Sequence, residues 1–169
     1  MNTKTLFVVM AITMLGIAGL AILVSSFSGS STKATVSKTS GAKISIDHTS
    51  KIVGNIGYSK GILYHSFPIK NVGTDNLEIA NIATSCMCTK AFLKTGDNDG
   101  PNFGMKGMSA PSSWKGVLKP GEKGEIIAAF DPAYHGPQGT GQVTRSVSFE
   151  TSDPDNPYVE VMFEGEVIK

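Results

Sequence analysis

The sequence lacks both a strong excess of charge and a convincing constellation of catalytic residues. Its 169 residues include 15 basic and 14 acidic side chains, which leaves a formal net charge of +1. A general nucleic-acid-binding protein normally carries a clear basic excess. The sequence contains no phosphate-binding glycine-rich motif. We therefore expect a protein that is not an enzyme and that has no nucleic-acid partner and no small-molecule substrate.

One long hydrophobic run lies near the N-terminus, over residues 6–24, and only Thr13 interrupts it. As a helix this run would be about 28 Å long, close to the roughly 30 Å hydrocarbon core of a bilayer. A signal peptide usually has a shorter apolar core of about 7–15 residues and a cleavage site of small residues. The length favours an uncleaved signal-anchor after a short tail at 1–5, with the rest of the chain outside the cytoplasm. A cleaved signal peptide is the alternative, since residues 25–30 permit cleavage.

The remainder of the chain has the pattern of a small all-β domain behind a tether. Residues 25–42 are rich in Ser, Thr, Gly and Lys, which is typical of a flexible tether. Short apolar stretches bounded by turn residues follow, at 43–48, 62–71, 77–84, 125–130, 143–151 and 158–168. This spacing predicts an antiparallel β-sandwich of six or seven strands over 43–169. Residues 95–113 contain little core material and predict a long surface loop.

An ordered set of short motifs resembles a known bacterial family. The motifs are Asn71-Val72-Gly73, Ser85-Cys86-Met87-Cys88-Thr89, Leu118-Lys119-Pro120-Gly121-Glu122, Phe130-Asp131-Pro132 and Thr151-Ser152-Asp153-Pro154. Together they resemble the family called domain of unknown function 1573, over roughly residues 43–168. The resemblance implies an immunoglobulin-like sandwich, similar to modules of the major sperm protein type, which mostly bind or scaffold other proteins. This chain differs from the family at Met87, where glycine is usual, and in the inserted loop at 95–113.

Cys86 and Cys88 are the only cysteines in the sequence, and on an extended strand they would share one face. Three interpretations stay open. The thiols are packed without a role, they form an easily reduced disulfide, or they bind a soft metal such as copper. Two thiolates supply half of a tetrahedral shell, and Met105, Met108 and His135 are the candidates for the other ligands.

Two functional hypotheses result from these observations. The leading one is a membrane-anchored, extracytoplasmic, immunoglobulin-like module that binds a protein partner or a second copy of itself. Its exposed strands and the loop at 95–113 would make the contacts, and no cofactor is expected. The alternative is copper handling or thiol redox chemistry at Cys86 and Cys88.

Overall fold

The computed structural model describes residues 2–27 and 32–169, and the chain divides into two compact units at residue 31. The first unit contains helix α1, Thr3–Phe27. Over Thr3–Leu20 this helix is long and apolar enough to cross a membrane, a property that signal sequences share. A helix suits such a run because it satisfies its own backbone hydrogen bonds in lipid. Residues 25–27 continue the helix and are not tether, and residues 28–31 of the predicted tether lie outside the described residues.

The second unit is a sandwich of two five-stranded sheets. One sheet has the order β1-β3-β8-β5-β6, with β1 at Ile44–Ile46, β3 at Leu63–Asn71, β8 at Lys123–Phe130, β5 at Thr89–Thr95 and β6 at Asn98–Asp99. The other has the order β2-β10-β9-β4-β7, with β2 at Ser50–Gly57, β10 at Tyr158–Ile168, β9 at Gly141–Thr151, β4 at Leu77–Thr84 and β7 at Lys115–Leu118. A short 3-10 helix, Pro137–Gly139, precedes β9. The all-β prediction is confirmed, with ten strands in place of about seven.

The alternation of apolar residues explains which faces of the strands meet. Along β9, Val143, Val147 and Phe149 are buried, and along β10 the buried residues are Val159, Val161, Phe163 and Val167. Phe163 meets Phe130 of the opposite sheet with ring centroids 5.8 Å apart. The inward faces of the two sheets therefore form one hydrophobic core.

One strand pairing differs from the antiparallel prediction. β2 runs parallel to β10 at the edge of its sheet. Only three residues separate β1 from β2, yet the two strands belong to different sheets. The chain therefore crosses from one sheet to the other without a hairpin, and β2 joins β10 in the same direction.

The folded unit begins before the predicted domain boundary at residue 43. Ala34 is buried and its N–H donates to the carbonyl oxygen of Ser112 at 2.9 Å. The N–H of Thr39 donates to the carbonyl oxygen of Ser152 at 2.8 Å. Residues 32–42 of the predicted tether are thus part of the folded unit. Backbone hydrogen bonds hold them, and composition does not reveal such bonds.

The predicted loop at 95–113 is also more ordered than expected. It opens with the β5–β6 hairpin, and Phe103 then exchanges two backbone hydrogen bonds with Ala91, at 2.8 and 2.9 Å. Next, the N–H of Thr84 donates to the carbonyl oxygen of Gly104 at 3.0 Å. Because Ala91 lies in one sheet and Thr84 in the other, this segment forms a strap that connects the two sheets along one side.

Candidate functional site at the Cys-x-Cys pair

The two cysteines lie in the turn where the chain crosses from one sheet to the other. β4 ends at Thr84 and β5 begins at Thr89. The Thr84 hydroxyl donates to the carbonyl oxygens of Cys86 at 2.9 Å and Thr89 at 3.0 Å. A single side chain inside the sandwich therefore fixes the shape of the turn that carries both sulfur atoms.

Cys86 and Cys88 are joined in a disulfide, with their Cα atoms 5.2 Å apart. The backbone N–H of Cys88 donates to Cys86 Sγ at 3.3 Å. Cys88 is only 3% exposed and belongs to the core, whereas Cys86 is partly exposed. Cys86 is consequently the more exposed of the two cysteines to a molecule approaching from solvent.

His135 lies beside the accessible sulfur. Its Nε2 is 3.6 Å from Cys86 Sγ, and its ring is exposed to solvent. The loop that carries it follows β8, and the N–H of Asp131 anchors the loop by donating to the carbonyl oxygen of Cys88 at 2.9 Å. The Asp131 carboxylate accepts the N–H of Ala133 at 2.9 Å, which shapes the turn towards His135. The histidine is thus placed by backbone contacts with the Cys-x-Cys turn itself.

Arg145 lies beside the buried sulfur. Its Nε donates to Cys88 Sγ at 3.1 Å, and its Nη1 donates to the carbonyl oxygen of Thr144 at 2.8 Å. The guanidinium also lies over the ring of Phe130, 5.3 Å from its centroid. Burial lowers the pKa of Arg145 from its usual value. Within the described residues no ion pair includes Arg145, so a partly buried cation faces a neutral disulfide.

An open cleft of about 650 Å³ adjoins the pair on the outer face of the β1-β3-β8-β5-β6 sheet. Cys88 and Met87 line one side. The other lining residues are Ile62, Tyr64, Lys90, Phe92, Asp99, Asn102, Ala129, Asp131 and Tyr134. Tyr64 is 62% exposed, and Ile62, Met87 and Tyr134 are exposed as well. Exposed apolar side chains gathered in one place are typical of a surface that contacts another molecule.

The structure brings three of the five predicted site residues together. The ligand atoms of Cys86, Cys88 and His135 all lie within 4.8 Å of one another, an arrangement that could hold a metal ion when the thiols are reduced. The predicted methionine ligands are placed differently. Met105 lies in the strap, where it pairs with Thr84 of β4. It also lines a second groove, of about 280 Å³. Met108 is exposed, and neither methionine lines the cleft at Cys88.

Arg145 is the site residue that the sequence analysis does not single out. A signal for it exists in the strand pattern, because Arg145 occupies the same alternating row as the buried Val143 and Val147. A charged residue in an inward-facing row needs a polar partner. The sequence alone does not show that the partner is Cys88.

Comparison with protein families supports the resemblance noted in the sequence. Residues 44–96 match the family described as "Protein of unknown function (DUF1573)". The resemblance to this family is thereby confirmed over a segment that includes both cysteines. No curated protein matches the chain.

Several solved structures are similar to this sandwich. A protein of unknown function from Porphyromonas gingivalis has a TM-score of 0.54 and 19% identity, covering 79% of this chain and 49% of that one. This chain therefore spans about half the length of that protein. The PapD-like domain 7 of human CEP192 has a TM-score of 0.46 and 17% identity, covering 85% and 97%. The class 5 fimbriae chaperone CfaA has a TM-score of 0.43 and 14% identity, covering 75% and 57%. The predicted fold, an immunoglobulin-like β-sandwich, is confirmed.

Proposed function

We propose that the protein is an immunoglobulin-like binding module that contacts another polypeptide through the cleft beside Cys88. The observation that supports this is the cluster of exposed apolar side chains at Ile62, Tyr64, Met87 and Tyr134. A cleft that is open on an outer sheet face suits a polypeptide surface better than a small molecule, which prefers a more enclosed pocket. In this proposal α1 holds the module at a membrane and the sandwich lies outside the cytoplasm.

Site-specific photo-crosslinking tests this binding function. A photo-reactive amino acid in place of Tyr64, in the full chain in the cells that produce it, is expected to give discrete protein adducts. The same amino acid in place of Val117, which is exposed on β7 in the other sheet, is expected to give none. Adducts are read as shifted bands with an antibody to the chain and identified by mass spectrometry. The absence of adducts at Tyr64, or identical adducts at both positions, would contradict a binding role for the cleft.

A second candidate function is thiol–disulfide exchange at Cys86 and Cys88. The observation that favours it is the placement of two basic side chains against the disulfide, with His135 beside one sulfur and Arg145 beside the other. Neighbouring cationic groups favour thiolates, and reactive cysteines occur in such electropositive, partly exposed surroundings. The metal form of this proposal is that the reduced pair, with His135, binds copper as Cu(I), a soft ion that prefers thiolate ligands.

Equilibration of the full chain with glutathione tests the exchange. The folded protein is expected to pass reversibly between a disulfide and two free thiols, counted by alkylation and mass spectrometry. Cys86→Ser abolishes the reversible step, and Met87→Ala retains it as the matched control. Cysteines that react only after denaturation would exclude the exchange. Cu(I) added to the reduced wild type and to Cys88→Ser tests the metal form, which fails if both proteins retain the same amount of copper.

A further inference from the structure

We infer that the exchange has a fixed direction, in which a partner thiolate attacks Cys86 and Cys88 leaves as a thiolate paired with Arg145. The inference rests on the thiol–disulfide exchange proposed above and assigns a separate task to each sulfur and to Arg145. Accessibility decides the first step. Cys86 is partly exposed next to the solvent-facing His135, whereas Cys88 belongs to the core. An incoming thiolate must reach the sulfur it attacks, so Cys86 is the site of the mixed disulfide.

The position of Arg145 decides which sulfur leaves. Its Nε already lies 3.1 Å from Cys88 Sγ, and its contacts with Thr144 and Phe130 hold it there. In the disulfide state this guanidinium has no anionic partner among the residues that the structure describes. Breaking the S–S bond creates a thiolate at the atom to which Arg145 already donates. A partly buried cation that lacks a counter-charge is stabilised by gaining one in place, so Arg145 favours the reduced state.

The chemistry balances without another reactant. The thiolate of a partner cysteine forms a bond to Cys86 Sγ, and the electron pair of the broken S–S bond goes to Cys88 Sγ. A second partner thiolate then attacks the partner's sulfur in the mixed disulfide and releases Cys86. The chain's disulfide is reduced to a thiol at Cys86 and a thiolate at Cys88, and the two partner thiols are oxidised to a disulfide. Their protons pass to Cys86 and to water, with His135 beside Cys86 in a position to transfer one.

The charged groups of the adjoining cleft provide a control for Arg145. Lys90, Asp99 and Asp131 line the cleft, and Lys90 is the cation among them. No hydrogen bond from Lys90 to either sulfur is found within the described residues. Lys90→Gln therefore removes a positive charge from the cleft beside Cys88 while the donor to Cys88 Sγ remains.

Glutathione again serves as the probe, with the full chain and two readouts. In the first, Arg145→Gln is expected to shift the equilibrium at least about tenfold towards the disulfide, because the Cys88 thiolate loses its hydrogen bond from a charged donor. Arg145→Lys should retain most of the wild-type equilibrium, and Lys90→Gln should stay within about twofold of it. In the second, the single-cysteine variants are treated with glutathione disulfide, so that each adduct releases one glutathione thiolate. Cys88→Ser should form the adduct at Cys86 at least about tenfold faster than Cys86→Ser forms one at Cys88.

The two failures are distinguishable. A wild-type protein that does not exchange with glutathione overturns the proposed redox function. Exchange with adducts at Cys88, or equal shifts for Arg145→Gln and Lys90→Gln, overturns the directional inference and leaves the redox function standing. Because loss of folding would alter the equilibrium by another route, each variant is also compared with the wild type by thermal unfolding of the reduced and oxidised forms. An Arg145→Gln protein whose oxidised form has the wild-type unfolding temperature and whose equilibrium is unchanged would also overturn the inference.

Discussion

Replacing Asp153 with alanine is expected to destabilise the sandwich by about 3 kcal/mol at pH 7, because three N–H groups lose a buried anionic acceptor. Asp153 is 1% exposed, and its Oδ2 accepts the backbone N–H of Ile44 and the Nδ2 of Asn156, each at 3.0 Å. Its Oδ1 accepts the N–H of Asp155 at 2.8 Å. Urea unfolding of the full chain in detergent, followed by the fluorescence of Trp114, measures the loss.

The acid limb of the stability profile gives this prediction a second test. Burial alone would raise the pKa of Asp153, but the hydrogen bonds from Asn156, Ile44 and Asp155 outweigh it and hold the pKa below its usual value. A carboxyl group whose pKa is lower in the folded than in the unfolded chain stabilises the fold at pH values above its unfolded pKa of about 3.9. This stabilisation is lost as the pH falls through the pKa of the folded state. The difference in the free energy of unfolding between the wild type and Asp153→Ala should therefore become smaller below about pH 4.

Asp155→Ala is the matched control, since it removes the same charge from an exposed position in the same turn. We expect it to change the free energy of unfolding by no more than about 0.5 kcal/mol. Equal losses for the two variants, or a loss for Asp153→Ala that does not vary with pH, would show that the carboxylate does not hold this turn.

Most strands that the sequence predicts bury a row of apolar residues, although β5, with Thr89, Ala91 and Leu93 buried, is not predicted. β3, β9 and β10 begin and end close to their predicted bounds because each buries alternate side chains in the core. β4 also keeps its predicted bounds, although a bulge between Ala80 and Ala83 shifts its buried row. β2 is missed because it is an edge strand whose side chains are mostly exposed, Ile52 among them. β7 is missed because it has only four residues. Their strand conformation depends on pairing with a neighbour, which the local pattern does not show.

The candidate site is predictable in its chemistry and not in its geometry. Cysteine and histidine side chains draw attention to Cys86, Cys88 and His135 wherever they occur. The approach of Arg145 to Cys88 depends on the register between β9 and β4, in which Val147 lies opposite Thr84. That register is a long-range property of the folded sandwich. The placement of Met105 in the strap likewise depends on pairing with Thr84 in a strand 21 residues earlier in the chain.

The motifs that carry the family resemblance serve different purposes at the two ends of one strand. β4 begins just after the Asn71 turn and ends just before Cys86. At the first end, Ile44 pairs with Asn71 in the β1–β3 ladder, and the Ile44 N–H donates to the Asp153 carboxylate. These residues hold turns together. The residues of the proposed redox site, which are the disulfide, His135 and Arg145, meet at the other end.

Asn71→Asp is expected to cost about 3 kcal/mol of unfolding free energy at pH 7, even though the two side chains have nearly the same shape. The Asn71 side chain is fully buried, and its Nδ2 donates to the carbonyl oxygens of Asp75 and Leu118, both at 2.8 Å. Its Oδ1 accepts the N–H of Gly73 at 3.0 Å. A carboxylate would keep that acceptor but place a charged oxygen against two carbonyl oxygens, where a donor is required.

Two experiments identify the cause of that loss, namely a lowering of the pH and the same substitution at the neighbouring Asn76. Burial raises the pKa of an introduced carboxyl group, and its protonated form regains one donor. The loss of unfolding free energy in Asn71→Asp, relative to the wild type at the same pH, should therefore become smaller between pH 7 and about pH 4. Asn76→Asp adds the same charge at an exposed position in the same turn and should change stability by no more than about 0.5 kcal/mol. A comparable loss in both variants would mean that added negative charge, and not the missing donor to Asp75 and Leu118, destabilises this end of the sandwich.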